Sequence, residues 1–284
     1  LFDMRSKQIY VGLLDKIVNF CENYGYTYKF EDNKFYGTPY EENEFISFEG
    51  VKDYIKSISV HEPRQYQVEG VFDALRHNRR LLISPTASGK SLMIYSLARY
   101  YAEHGKNILV VVPTTSLVEQ MYKDFEEYGW DVETHCHKIY SGREKNDNRP
   151  IVITTWQSIY KLERSWFERF EVVIGDEAHL FKSKSLIQIM TKLHHAKYRF
   201  GFTGTLDGTQ THKWVLEGLF GPSYKVTKTD ELMRQGHLSQ LDIQCIILKH
   251  PPQKFDTYND EIEYLISHEK RNNFIKNLTL DLKG

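Results

Sequence analysis

The sequence predicts an α/β protein built on a doubly wound parallel sheet, with a small α/β appendage ahead of it. Two observations carry this. From residue 64 onward short apolar runs alternate with amphipathic stretches, and runs such as Ile108-Leu109-Val110-Val111-Val112 are apolar at every position. Strands covered by helices on both faces of a parallel sheet read this way. One run, Leu81-Leu82-Ile83, then enters a small-residue loop that ends Gly89-Lys90-Ser91 where a helical pattern starts, a strand–loop–helix setting.

The elements follow in order. From Ser6 to about Tyr24, Ile9, Leu13, Ile17 and Phe20 recur at helical spacing. The alternating Tyr26, Tyr28 and Phe30, followed by Phe35, predict a hairpin turning at Glu31-Asp32-Asn33. A short helix near 51–58 closes this region, and His61-Glu62-Pro63 marks a boundary, since proline turns the preceding residue away from helix. The chain opens on Leu1 rather than methionine, so upstream residues of this appendage are expected. The sheet region reads as helix 64–77, strand 80–84, helix 90–104, strand 107–112, helix 114–127, strand 151–154, strand 170–175, helix 184–193 and strand 197–203. Past Gly221-Pro222 come helix 229–235, strand 241–248, the polar connector Lys249-His250-Pro251-Pro252-Gln253-Lys254 and a helix from Tyr258 to Leu282. The expected division is an appendage at 1–60, a main α/β domain at 61–250, and a linker with one helix at 251–284.

The loop Pro85-Thr86-Ala87-Ser88-Gly89-Lys90-Ser91 has the chemistry of a phosphate cradle. Turned-in backbone N–H groups and a helix N-terminus bind anionic oxygens, Lys90 reaches the β/γ-phosphates, and the Ser91 hydroxyl is a ligand for Mg2+. The pattern departs from the full motif at Ser84, where a first glycine belongs. A carboxylate is needed to hold the metal. Asp176 ends the apolar run Val172-Val173-Ile174, at the carboxyl end of a strand where parallel sheets bind ligands. Asp176 is therefore the expected metal holder and Glu177 the base for an attacking water, with Lys90 as the second catalytic group.

Asp176-Glu177-Ala178-His179 resembles the signature box of the DEAH-type members of helicase superfamily two, and further motifs of that family follow in family order. Pro63-Arg64-Gln65-Tyr66-Gln67 is similar to its adenine-reading element, which implies nucleotide-binding roles for Arg64 and Gln67. Val112-Pro113-Thr114-Thr115-Ser116 and Ile153-Thr154-Thr155-Trp156-Gln157-Ser158 resemble two strand-binding motifs, which implies contacts of Pro113, Thr114, Thr115, Thr154, Thr155 and Gln157 with nucleic-acid phosphates. Gly201-Phe202-Thr203-Gly204-Thr205 resembles the coupling element, implying that His179, Thr203, Gly204 and Thr205 link nucleotide state to the strand groove. The resemblance spans about 61–250 and leans toward phage recombination and repair helicases of the UvsW type. The family loop commonly has glycine where Ala87 stands. By resemblance the main domain is a RecA-like motor domain, its cofactors are ATP and Mg2+, its partner is nucleic acid, most of all DNA, and the last helix opens a second RecA-like domain whose catalytic arginines lie beyond Gly284.

Composition narrows the remaining possibilities. A net charge of −1 over 284 residues gives no overall attraction to nucleic acid, so contact must come from a local patch. Arg76/Arg79/Arg80, Arg143/Lys145/Arg149 and Lys182/Lys184 are the candidates. Cys21, Cys136 and Cys245 form no C-x-x-C pair, which fits a reducing, cytoplasmic setting, the host cytoplasm if the chain is phage-encoded. His135-Cys136-His137 is read as a surface strand without enough ligands for a metal. No run of about 18 apolar residues and no signal-peptide pattern occurs, so no membrane partner is expected. The expected function is an ATP-dependent DNA helicase or translocase fragment. The alternatives are an RNA-remodelling or restriction/chromatin-type motor, and a docking module that binds nucleotide without turnover, against which Glu177 argues because such a module needs no base.

Overall fold

The structure, a computed structural model, describes residues 2–5, 7–29, 43–140, 142–206, 208–236, 238–239, 245–249, 251 and 253–282. The chain forms two compact units, 1–238 and 239–284. In the first, a two-residue antiparallel pair, β1 (Phe2–Asp3) and β2 (Gln8–Ile9), leads through a 3-10 turn at Val11–Leu13 into α1 (Leu14–Tyr24). The helix thus starts later than the stripe from Ser6 suggests. Its end is set by Gly25, in the left-handed region at φ 70°, which a helix C-terminus favours. Most of the expected hairpin, including its turn at 31–33, lies outside the described residues. α2 (Phe48–Ile58) is capped by the Ser47 hydroxyl, which accepts from the Gly50 amide.

Beyond it lie α3 (Gln65–His77), β3 (Arg79–Ile83), α4 (Lys90–Glu103), β4 (Ile108–Val112), α5 (Thr115–Glu127), α6 (Val132–His135), β5 (Cys136–Ile139) and β6 (Ile151–Thr155). The unit continues with α7 (Trp156–Ile159), α8 (Arg164–Phe167), β7 (Val172–Gly175), α9 (Lys184–Lys192), β8 (Tyr198–Thr203), α10 (Gln210–Phe220), β9 (Ser223–Lys225) and α11 (Thr229–Arg234). β3 to β9 form one seven-stranded parallel sheet in the order β5-β6-β4-β7-β8-β3-β9. Alternate residues of β4 feed opposite faces: Ile108, Val110 and Val112 join one apolar cluster, Leu109 and Val111 the other. Val51, Ile55 and Ile58 of α2 belong to the first of these clusters, together with Leu82, Ile94, Val110 and Phe202.

This strand order positions the site. β8 lies between β3 and β7, so the loops leaving these three strands emerge side by side at the carboxyl edge. β4 and β6 are neighbours, in register from Ile108 opposite Ile151 to Val112 opposite Thr155, so the two strand-binding candidates also emerge together.

In the second unit the helix expected over 258–282 is two helices, α12 (Tyr258–Ser267) and α13 (Glu269–Asp281). His268 ends the first at ψ 95° and starts the second, its Nδ1 accepting from the Arg271 amide at 3.1 Å. The expected strand 241–248 lies outside the described residues at 241–244, and 245–248 is not a strand.

Candidate functional site

The phosphate-loop residues extend β3 at the carboxyl edge. Ser84 donates its amide to the Thr203 carbonyl at 2.8 Å, and its buried Oγ is 2.6 Å from that of Ser88, which donates to the Pro85 carbonyl at 2.6 Å. Ser84, in place of a first glycine, thereby ties the loop together from inside. Ala87 and Gly89 both have left-handed backbones, at φ 63° and 76°. That conformation explains why glycine suits the Ala87 position, because a Cβ costs about 1–2 kcal/mol there. At Gly89 a second constraint applies: a Cβ would lie 2.2 Å from Nε2 of Gln67.

Gln67 is buried beneath the loop. Its Nε2 donates to the Ser88 carbonyl at 2.9 Å, and its Oε1 accepts from the Arg64 amide at 2.8 Å. Tyr66 donates to the same Ser88 carbonyl at 3.0 Å and is bonded by the Arg64 guanidinium at 2.8 Å. Of the expected adenine-side residues, Gln67 thus meets the loop directly, and Arg64 is tied to it through Gln67 and Tyr66. With His61, Glu62, Ala87, Gly89, Leu92 and Tyr128 they line a cavity of about 340 Å³.

The two acids follow β7. The Asp176 amide donates to the Val111 carbonyl at 2.9 Å, which carries the strand pairing one residue past Gly175. Its carboxylate is 8% exposed and accepts from the Glu177 amide at 2.9 Å. Burial raises its pKa above the ordinary carboxylate value, more than Lys90 and the Glu177 amide lower it. Glu177 is left-handed at φ 48°, ψ 51°, a strained conformation for a non-glycine residue and one that collects at functional sites. It aims Oε1 at Lys90 Nζ, 3.6 Å away, and Oε2 at His179 Nδ1, 3.3 Å away.

The expected coupling residues complete a continuous path. His179 Nδ1 is 3.1 Å from Thr203 Oγ1, which donates its only proton to the Thr205 carbonyl at 2.9 Å. Thr203 therefore accepts from His179, which places the imidazole proton on Nδ1. Gly204 lies beside the loop: a Cβ there would be 3.8 Å from Lys90 Nζ and 3.7 Å from the Thr86 amide nitrogen. Lys90, Glu177, His179 and Thr203 to Thr205 are thus one network. Ser91 stands apart: its Oγ is 2.7 Å from the Tyr128 phenol oxygen, and it makes no hydrogen bond to Asp176.

A magnesium-bound triphosphate suits this donor set. Lys90 and the helix start at Gly89 offer positive charge, while the dry Asp176 carboxylate is a hard oxygen ligand that a cation would stabilise. Lys90 and the loop residues 85–91 would hold the phosphates, and Asp176 with Ser91 the metal.

The strand-binding candidates divide. Pro113 is half-buried, and Thr114 and Thr115 are exposed at the start of α5, where Thr114 Oγ1 caps the Leu117 amide at 3.3 Å. Gln157, also exposed, reaches the Pro113 carbonyl at 3.4 Å, so the two segments meet. Thr154 is fully buried and donates to the Thr155 carbonyl; Thr155 is 5% exposed and bonded to Ser158 Oγ at 2.9 Å. Their hydroxyls are held inside the protein.

Two surface expectations change. Arg79 is 1% exposed and Arg80 is paired with Asp73, so 76–80 is no basic patch. Arg149 is paired with Asp147, whereas Lys182 and Lys184 are exposed. Cys136 and His137 are buried rather than on a surface strand, and His135 ends α6, so the two histidines share no strand face. Burial pushes the Cys136 thiol up to about 12.

Residues 60–208 match the family described as Type III restriction enzyme, res subunit, and this stretch is over half of the chain. The chain belongs to that family. It is also homologous to a superfamily-two helicase of Enterobacteria phage T4, the ATP-dependent DNA helicase UvsW, at 34% identity across 95% of this chain and 56% of that protein. A DNA 3′-5′ translocase of Sulfurisphaera tokodaii is 29% identical over 68% of this chain and 41% of its own length. The chain thus spans about half the length of the curated relatives it matches. Among solved structures, one of the phage T4 UvsW helicase superposes at a TM-score of 0.70 with 33% identity, covering 79% of this chain and 81% of that one. The family assignment and this superposition bear out the RecA-like parallel sheet.

Sequence reasoning missed Tyr66 and Tyr128 as parts of the site. Tyr66 stands inside the Arg-Gln-Tyr-Gln run and was legible there as a loop contact; Tyr128 lies 37 residues from Ser91 and carries no local signal.

Proposed function

We propose that this chain is an ATP-binding and hydrolysing motor domain of a DNA helicase or translocase serving recombination or repair, with residues 61–250 as its first RecA-like domain and 251–284 leading to a second. The observation that carries this is the unbroken path from Lys90 through Glu177 and His179 to Thr203 and Thr205, which joins a phosphate loop to a catalytic acid and a third strand end. The printed names of the phage and archaeal relatives, a DNA helicase and a DNA translocase, support DNA as the partner. The Asp176-Glu177-Ala178-His179 box supports the DEAH type.

Each residue then has a task. Lys90 neutralises the terminal phosphates, and Glu177, with one oxygen toward Lys90, accepts a proton from the attacking water. Mg2+, when bound, neutralises phosphate charge and orients the reacting oxygens. His179 shares its Nδ1 proton between Glu177 and Thr203, so a change at the phosphates is felt at Gly204 and Thr205. Thr114, Thr115 and Gln157 are the exposed groups that meet a nucleic-acid backbone. The 284-residue chain by itself is expected to hydrolyse ATP slowly, because an arginine supplied from another domain is worth about 10³–10⁵ in rate in related enzymes.

The test is binding of a fluorescent ATP analogue with Mg2+ by the parent chain, Lys90→Ala and Glu177→Gln. Binding lost in Lys90→Ala and kept in Glu177→Gln, with turnover below about 1 s⁻¹ in the parent, is the expected result. No binding by the parent refutes the reading. Equal slow turnover in Glu177→Gln and parent would favour a docking module, and preference for strands bearing a 2′-hydroxyl an RNA motor.

A further inference from the structure

A chain of net charge −1 needs a local cation to hold a nucleic-acid backbone, and Thr114, Thr115 and Gln157 supply none. Arg79 is buried, and Arg80 and Arg149 are each paired with an aspartate. The segment joining β5 to β6 narrows the choice. Because these strands are parallel, residues 140–150 start at the carboxyl edge of the sheet and return to the amino edge. Arg143 stands in the first turn of that segment, its amide donating to the Tyr140 carbonyl at 3.0 Å, whereas Arg149 stands two residues before β6. Ile139 is opposite Thr154, which is opposite Val111, so Tyr140 leaves the sheet level with Thr155 and Val112. Of the two arginines, Arg143 is thus the one on the edge from which Pro113 and Gln157 emerge.

Two side chains place Arg143 there. Its guanidinium donates to the Tyr140 hydroxyl at 2.7 Å and lies over that ring, 4.8 Å from the centroid. Tyr140 gives its own proton to one Glu119 oxygen, and Lys138 Nζ donates to the other at 2.8 Å. Glu119 follows Thr115 by four residues and Ser116 by three on α5, so the three share one face within a single helical turn. The Arg143–Glu119 pair is 3.9 Å long with both side chains 46% exposed, a setting in which an ion pair is weak. Lys138 keeps the carboxylate partnered if Arg143 turns to another anion. Lys184, also exposed, opens α9, whose Leu186, Ile189 and Met190 pack on the opposite face of the sheet from Val118, Met121 and Phe125 of α5.

We propose that Arg143 is a cation of the nucleic-acid surface, exchanging Glu119 for a backbone phosphate of a strand that also meets Thr114 and Thr115. Its planar guanidinium gives two parallel N–H groups to a phosphate, and Tyr140 is the positioning residue that holds the plane. The contact is with the backbone, so it carries no sequence preference. The inference rests on the nucleic-acid part of the function proposed above.

The experiment is fluorescence anisotropy of a labelled DNA single strand and a labelled duplex, titrated with the full chain across salt from about 50 to 200 mM. Arg143→Ala is expected to weaken binding to all sequences alike. It should also lower the slope of log affinity against log salt by about 0.9 for the duplex and about 0.7 for the single strand, the share of one phosphate contact. Arg143→Lys should restore the slope, and Lys184→Ala should leave it at the parent value. Glu119→Gln, which removes the competing carboxylate, should bind more tightly, with a smaller gain when Arg143 is also alanine. An undiminished slope in Arg143→Ala, or an equal gain from Glu119→Gln with and without Arg143, overturns the assignment while the parent still binds DNA. A slope lost in Lys184→Ala and kept in Arg143→Ala overturns it in favour of the other face. A parent chain that binds neither DNA at low salt refutes the nucleic-acid reading itself, and the assignment falls with it.

Discussion

Replacing Gly89 by alanine tests the loop geometry most directly. Gly89 has φ 76°, so any Cβ costs about 1–2 kcal/mol from backbone strain alone. The new methyl would also sit 2.2 Å from Gln67 Nε2 and 3.5 Å from its Cδ, so the amide must move. Movement breaks the bond to the Ser88 carbonyl and the bond from the Arg64 amide, each worth about 0.5–1.5 kcal/mol. The total is about 2–5 kcal/mol. At about 2–4 °C per kcal/mol for a unit of this size, Gly89→Ala should lower Tm by roughly 4–20 °C. Thermal unfolding of the full chain, followed by circular dichroism, reads this. In a Gln67→Ala background the collision is gone, so the same replacement should cost only the strain term, about 1–2 kcal/mol. Equal costs in the two backgrounds would refute the reasoning, because Gln67 would then not be what Gly89 makes room for.

Three further outcomes are expected. Because burial raises the Asp176 pKa in the folded chain, its stabilising effect is complete below the ordinary carboxylate pKa and is lost as pH rises through the folded value. Asp176→Asn should therefore raise the Tm of the nucleotide-free chain at pH 7, the gain vanishing toward pH 4; a lower Tm at both pH values would contradict it. Ala87→Gly, at φ 63°, should be neutral or stabilising by up to about 1 kcal/mol, since relief of strain outweighs the added freedom of the unfolded chain; a loss of about 1 kcal/mol in denaturant titration, typical of a helix interior, would argue against that backbone. Ellman's reagent at pH 8 should label exposed Cys245 quickly and Cys136 only after unfolding.

The sheet was legible where burial on both faces makes an apolar run and a strand the same thing, as for β4 and β7. β9 was not, because Ser223-Tyr224-Lys225 has no apolar run and is held by its pairing with β3. α10 was passed over although Val215, Leu216, Leu219 and Phe220 form a stripe, since Gly218 interrupts it; that glycine lets Tyr10 pack against the helix, 3.0 Å from where a Cβ would stand. Motif residues were legible because each motif is local in sequence, and the strand order then gathers Lys90, Glu177 and Thr203 without further signal. Thr154 shows the limit. Two threonines at a strand end look available in sequence, while pairing with β4 buries both, Thr154 opposite Val111 and Thr155 opposite Val112. The Ser91–Tyr128 bond depends on where α5 ends relative to α4, which local pattern does not encode.

β9 is three residues long and is the outer neighbour of β3, the strand that carries the phosphate loop. Without it, the ladder groups of Leu81 to Ile83 on that side would face solvent beside the phosphate-loop residues, an open rail on which another extended chain could pair. Any piece of this protein cut before Ser223 would keep every motif residue discussed above and yet carry that rail, so its failure in solution would be self-association rather than loss of chemistry. Where a boundary is drawn for expression therefore decides which of two defects is being measured.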